Sequence, residues 1–425
     1  VIVAIFITSL CGAMVIGMPI AFALLVSSVA MMVNLDILDT RILAQSLVAG
    51  ADSFPLMAIP FFMLVGELMN AGGISRRIVN FGMALLGHVR GGLGYVAIVA
   101  GFIFAGLCGS AVADTAAIVA IMVPMMATVG YNKARSAALI AAGGCIAPVI
   151  PPSISFIVFG AITGVSIMKL FMAGIFPGIM IALALAITWW WMCRKEDLKV
   201  LPKQSYGDVW KATKESFWAL FLPFFLITVL RSGVVTPTEA GVLAVAYTLV
   251  ICLFVYRGLK FADVGRVLVK SAKTTSIIMF LIAAAVITAR LIALANVPEV
   301  LINWLQPFMD NRIVLMLLIN LILFVVGTAL DLTPTVLILA PVMMPVIEKA
   351  GIDPIYFGVI FVLNGAIGLI TPPVGTVLNA ACGACNVSMD ELFWKVIPFL
   401  FVETLVLLLL IVFPQLILVP LSWLS

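Results

Sequence analysis

Gly106, Pro124, Gly130, Gly144, Pro151 and Pro152 recur 221 residues later as Gly327, Pro345, Gly351, Gly365, Pro372 and Pro373, with no gap in the register. Nothing else in the chain restricts its fold as much. These residues interrupt helices, and they lie in apolar sequence, where a freed backbone carbonyl is tolerated only in a buried site or a water-lined cavity. Of the fifty positions from Gly106 to Ser155, eight are identical to their counterparts, and six of those eight are glycine or proline. A chance alignment of two apolar segments would share its commonest apolar residues, whereas this one shares its helix breakers. The register reads as an internal repeat. Matching interruptions in two halves of an apolar chain are the mark of a secondary transporter.

Composition sets the solvent. With 64% hydrophobic and 10% charged residues and a mean hydropathy of +1.29, a 425-residue chain has too little polar surface for a water-soluble globule. Apolar runs of about twenty residues, the length that crosses a ~30 Å hydrocarbon core as a helix, recur from end to end. An all-α polytopic membrane protein follows, without a separate soluble domain. The opening run VIVAIFITSL has no basic flank and reads as a first membrane helix, not a cleaved signal. Net charge is +4 with a single histidine, and basic residues are not interleaved with aromatics, which argues against hydrolytic catalysis and nucleic-acid binding. Seven cysteines are scattered through apolar sequence. Cys382 and Cys385 form a C-x-x-C without a second ligand pair, so no metal or redox centre is expected there.

The pattern predicts helices at 2–16 and 18–33, a polar connection at 34–52, a crossing at 55–71 and an amphipathic arm at 75–89. The arm's apolar face is Ile74, Ile78, Phe81 and Leu85. Residues 92–128 are too long for one helix and too short for two crossings, so they read as a re-entrant hairpin with its tip near Gly106 to Asp114. A crossing at 133–163 is broken at Pro148 to Pro152, and 170–193 crosses back. After a basic linker and arm at 194–216 the order repeats: 217–231, 237–257, a polar connection to about 273, a crossing at 274–293 and an arm at 297–309. A hairpin at 312–348, a crossing at 354–384 broken at Thr371 to Pro373, and a last helix at 396–420 complete it. The first repeat spans 1–193 and the second 217–425. Five crossings in each repeat, an odd number, make the two inverted. With the linker placed in the cytoplasm, only Arg41, Lys169, Arg231, Arg290, Arg312 and Lys349 of the 23 basic residues lie outside. That agrees with the positive-inside bias and puts both termini on the outer side.

The strings AIPFFMLVGELMNAGGIS, GSAVADTAAI, IPPSI, TPTEAGVLAVAY and LNGAIGLITPPVG run in this order from about residue 55 to 376. They resemble the large membrane subunit of tripartite ATP-independent periplasmic (TRAP) transporters, and the resemblance covers nearly the whole chain. It implies sodium-driven uptake of an organic acid across a bacterial inner membrane, with a small four-helix membrane subunit and a periplasmic substrate-binding protein as partners. It also implies a fold similar to divalent anion/sodium symporters, in which two hairpins and two broken helices move as an elevator against a scaffold. Within the family the chain looks most similar to the sialic-acid branch, though the quoted motifs are shared with dicarboxylate systems. A standalone sodium/C4-dicarboxylate-type symporter needing no binding protein is the alternative. An ion channel is a more distant one, because occluded tips and paired breaks fit alternating access better than an open pore.

Na⁺ is a hard cation that takes five or six oxygens, and unwound carbonyls at a hairpin tip and a helix break supply them without burying a formal charge. In the first half the candidates are Gly106, Gly109 and Ser110 at the tip with Ala147, Pro148 and Ile150 at the break. In the second half they are Gly327, Asp331 and Thr333 with Gly368, Thr371 and Pro372. Any one of these glycines serves equally for close helix packing. An organic anion belongs between the tips, where half-helix N-termini turn their positive ends toward it. Ser153, Ser155 and Thr376 follow the two Pro-Pro pairs and are candidate donors to it, or else caps of those half-helices. Asp114 in the first tip is a candidate to bind a cation or to orient the tip. Arg290 would either clamp a substrate carboxylate or snorkel to the outer interface.

Overall fold

The computed structural model describes residues 2–194 and 200–424, so residues 195–199 of the linker, with Lys195 and Lys199, lie outside the described residues. Helices account for all the regular structure among the described residues. The adjacent pair α1 (Ile2–Val15) and α2 (Ile20–Asn34) is separated by Gly17, at φ +86°, and Pro19. Glycine is the residue that closes a helix in the left-handed region, and proline cannot continue the helix it follows. Next come α3 (Thr40–Ala51), a 3₁₀ turn at Phe54–Met57, α4 (Ala58–Ala71) and α5 (Ile74–Leu86). Two helices joined at Gly109 and Ser110, α6 (Gly92–Cys108) and α7 (Ala111–Thr128), lead to α8 (Lys133–Gly144), α9 (Ile154–Thr163) and α10 (Ile167–Cys193).

The order then recurs with α11 (Tyr206–Arg231), α12 (Pro237–Val250), which widens into a π turn at Ile251–Val255, α13 (Phe261–Leu294) and α14 (Val297–Leu305). A second pair, α15 (Arg312–Ala329) and α16 (Leu332–Lys349), is joined at Leu330 and Asp331. It leads to α17 (Pro354–Gly368), α18 (Thr376–Cys385), α19 (Met389–Val412) and α20 (Gln415–Leu424). Among the described residues nine helical segments are long and apolar enough to cross a membrane, and the protein is an all-helical polytopic membrane protein.

The centre of the molecule is built from the interrupted helices. In α17 every residue from Tyr356 to Gly368 is buried, as expected of a helix apolar on all sides. The sequence of α8, KARSAALIAAGG, has alanine, serine or glycine at eight of its twelve positions and lets neighbours approach its backbone. Phe159 of α9 packs against Phe357 and Phe361 of α17, with ring centroids 6.3 and 5.7 Å apart, and so ties the half-helix of one break to the long segment before the other.

Four expectations need correction. The connection at 34–52 contains α3, because the Asp39 side chain accepts a hydrogen bond from the Arg41 N–H and starts a helix. The connection before 273 and the crossing after it are one 34-residue helix, α13, since its only glycine or proline is Gly265. The helix at 396–420 is two, α19 and α20, parted at Phe413 and Pro414. The buried face of α5 is Ile74, Ser75, Ile78, Val79 and Gly82, while Leu85 is exposed, so the apolar stripe lies beside the one expected. In addition α11 begins at Tyr206, capped by Ser205, so half of the linker is helical.

Candidate functional site

In the first half, the α6–α7 turn is seated on the break between α8 and α9. Gly109 has φ +64°, and a Cβ there would collide with the Pro152 carbonyl. Gly106, a turn earlier, faces the Pro151 carbonyl, which would lie 3.6 Å from a Cβ. Glycine is required at Gly109 on both counts, left-handed backbone and close approach. Ser110 caps α7 by accepting from the Ala113 N–H at 3.5 Å, and Ser153 caps α9 by accepting from the Phe156 N–H at 3.2 Å. The N-termini of α7 and α9 are therefore neighbours.

The second half repeats this contact with different atoms. Gly327 lies against Gly368, where a Cβ would come 2.8 Å from the Gly327 carbonyl. The Val374 N–H donates to the Thr328 carbonyl at 3.2 Å. Asp331, at the N-cap of α16, accepts at Oδ1 from the Thr376 hydroxyl at 3.1 Å, which brings the starts of α16 and α18 together. The Asp331 carbonyl accepts from Thr335, both backbone and hydroxyl.

The halves interlock. α18 packs on α7 and α9 packs on α16, so each short half-helix rests on the other half's hairpin. The Cys145 thiol, in the first break, lies 3.1 Å from the Ala366 carbonyl at the approach to the second. A pair of helix N-termini thus lies at each break, an arrangement that favours an anion near them and leaves carbonyls for cations beside it. Among the described residues no hydrogen bond reaches the carbonyls of Ala147, Ile150, Thr371 or Pro372, whereas those of Pro148 and Gly368 accept from the Ser153 hydroxyl and the Thr371 N–H. The first four have lone pairs for a cation; the other two are already engaged.

The other candidates fall in several places. Ser153 is fully buried, and its hydroxyl both caps α9 and donates to Pro148, so its hydrogen-bonding capacity is used within the protein. Ser155 is buried in the first turn of α9, and Thr333 is half-buried in the first turn of α16. Asp114 is buried in the first turn of α7. Arg290 is exposed near the end of α13 and makes no ion pair among the described residues. Glu67 of α4, an intramembrane acid at the position equivalent to Thr288, pairs with Lys270 of α13 at 2.8 Å. Two polar residues escaped the sequence reading. Among the described residues the Thr115 hydroxyl, buried against Gly144, has no hydrogen-bond partner, and neither does the Asn364 side-chain oxygen, while the Asn364 amide donates to Asn320 at 2.8 and 2.9 Å. Asn364 precedes the landmark Gly365, which was the available signal for it; Thr115 meets Gly144 only in space, so the sequence carried none.

Known proteins are similar to this chain. The family described as tripartite ATP-independent periplasmic transporter, DctM component, matches residues 7–416. The 2,3-diketo-L-gulonate TRAP transporter large permease protein YiaN of Escherichia coli is 50% identical, covering all of both chains. The sialic acid TRAP transporter large permease protein SiaM of Vibrio cholerae is 35% identical over 95% of each. Sequence identity thus does not favour the sialic-acid branch. The Alcanivorax borkumensis YdaH transporter has a similar fold, with a TM-score of 0.63 over 88% of each chain at 14% identity.

Proposed function

The chain belongs to the DctM component family of tripartite ATP-independent periplasmic transporters, and from that premise we propose that it carries an organic acid inward across a bacterial inner membrane in exchange for the free energy of a sodium gradient. As a transporter it is not an enzyme. In this reading α1–α10 and α11–α20 form two inverted repeats. The hairpins α6–α7 and α15–α16 with the broken helices α8–α9 and α17–α18 form a transport body that moves as an elevator. The linker is cytoplasmic and both termini periplasmic, and a small membrane subunit and a periplasmic binding protein complete the system.

One observation carries the reading: each hairpin turn sits on its own helix break, Gly109 on Pro152 and Gly327 on Gly368. Such a seat converges carbonyls and helix N-termini without a buried basic residue, which suits Na⁺ and a carboxylate together. Ala147, Ile150, Thr371 and Pro372 supply cation oxygens, with Ser110, Thr115 and Asp331 beside them. Ser155 and the N-termini of α9 and α18 lie nearest the anion, the Thr376 hydroxyl being donated to Asp331. The higher identity to the 2,3-diketo-L-gulonate permease than to the sialic acid permease supports an acid of the former kind as the first candidate substrate.

Reconstitution in proteoliposomes with the small subunit and binding protein tests the reading. Uptake from a panel of organic acids is expected to require inward sodium, and equal uptake in choline and sodium buffers would contradict it. Uptake without the binding protein would favour a standalone symporter.

A further inference from the structure

Glu403 lies in the middle of α19, one of the membrane-spanning helices, with no exposed surface. Neither carboxyl oxygen has a hydrogen-bond partner among the described residues. An ionised carboxylate held in this way would lose its hydration without compensation, at a cost of several kcal/mol. Intramembrane acids are rare for that reason, and those present mark ion or proton paths. α19 packs against α8, α10, α15, α17 and α18. From these elements the titratable group that faces Glu403 is the Cys145 thiol of the first break, itself 3.1 Å from the Ala366 carbonyl near the second.

The remaining ionisable residues of those helices sit elsewhere. Lys133 and Arg135 open α8, Lys169 and Cys193 bound α10, Arg312 opens α15, and Cys382 and Cys385 close α18. On α17, the Tyr356 hydroxyl donates to the carbonyls of Leu410 and Ile411, about two turns along α19. Asp390, Glu391 and Lys395 occupy the first turns of α19 itself. No cation among the described residues is within reach to neutralise Glu403.

We propose that Glu403 is a proton-binding site of the transport body, protonated in the conformation described and releasing its proton to water when the two breaks rearrange during transport. The position supports this role: the carboxyl is dry here, its helix packs on α8 and α17, which lead into the two breaks, and Cys145 at the first break reaches the Ala366 carbonyl near the second. A protonated carboxyl is neutral and can stay buried, whereas the ionised form has to reach water before the protein can hold it. The return to this conformation therefore takes up a proton, and uptake slows as the medium becomes alkaline. The inference rests on the transporter reading but not on sodium as the coupling ion.

The test uses the full chain in lipid. A hydrophobic carbodiimide partitions into apolar protein, takes the proton of a carboxylic acid there and is attacked at its central carbon by the carboxylate oxygen, giving an adduct that rearranges to a stable N-acylurea. Mass spectrometry of the treated wild-type chain is therefore expected to find the adduct on Glu403, and less of it as pH rises. In the reconstituted tripartite system, Glu403→Gln keeps shape and neutrality and is expected to keep uptake in acid while losing the decline in alkali. Absence of the Glu403 adduct at neutral pH, or an unchanged pH profile in Glu403→Gln, overturns the proposal. Adduct formation is measured without any gradient, so failure of the sodium reading leaves that result intact.

Discussion

Residues 20–71 and their counterparts 241–292 keep the same register, yet one stretch is three helices and the other two. Thr40, the start of α3, corresponds to Phe261, the start of α13, and the whole of α3 and α4 maps onto that single helix. The difference lies at Asp52 to Met57, where DSFPLM holds a helix-disfavouring Pro55, against KTTSII at 273–278. Lys270 in the continuous helix then reaches Glu67 across to α4. The same register therefore holds a jointed pair of helices in one half and a single continuous helix in the other.

The two hairpin turns differ in the same way. Ser110 and Asp331 occupy equivalent positions, one neutral and capping its own helix, the other an acid whose side chain makes no cap and instead accepts from Thr376 of the broken helix. In the proposed sodium sites, an ionised Asp331 beside the second break would strengthen cation binding there relative to the first. The two sites are accordingly expected to be unequal, with the tighter one in the second half.

Substitutions sharpen this contrast. Gly109→Ala is expected to have the largest effect: alanine in the left-handed region costs about 1–2 kcal/mol, and its Cβ would collide with the Pro152 carbonyl. Uptake should be abolished at matched membrane expression, and retained uptake would show that the first turn does not need its close seat. Asp331→Asn removes the charge but keeps an acceptor for Thr376. It should weaken sodium activation about tenfold, roughly 1.4 kcal/mol, and an unchanged activation curve would erase the proposed inequality. Ser110→Ala removes a long cap worth at most about 1 kcal/mol, so a reduction of about twofold in uptake is expected; a loss as large as that of Asp331→Asn would make the two turns equivalent after all. Arg290→Lys should be nearly silent, because an exposed side chain at the end of α13 reaches the interface equally well as lysine. A strong loss would restore the carboxylate clamp.

Glycine and proline made the centre of this fold legible. The turns at Gly109 and Asp331 and the breaks before Ile154 and Thr376 fall where the paired landmarks put them, because a helix in apolar surroundings stops only where its backbone is forced to. The peripheral elements were less legible. Polar composition at 34–52 and 258–273 suggested connections, but polar residues also form helices that lie at a surface, and α3 and the start of α13 do so. In the site, glycine approach distances depend on partners far away in sequence, so Gly368 against Gly327 was a fair expectation while Thr115 against Gly144 was not drawn. Which carbonyls are free depends on local turns: Pro148 and Gly368 lose theirs to a serine hydroxyl and a threonine N–H, a detail that composition does not carry.

The central claim is that the seated turns form two unequal sodium sites. Equilibrium binding of radioactive sodium to the purified chain in lipid, for the wild type and Asp331→Asn, tests it most directly. A two-phase curve whose tighter phase is weakened in the variant, with the looser phase unmoved, is the expected result. A single phase that Asp331→Asn leaves unchanged, or no saturable binding at all, would contradict the account.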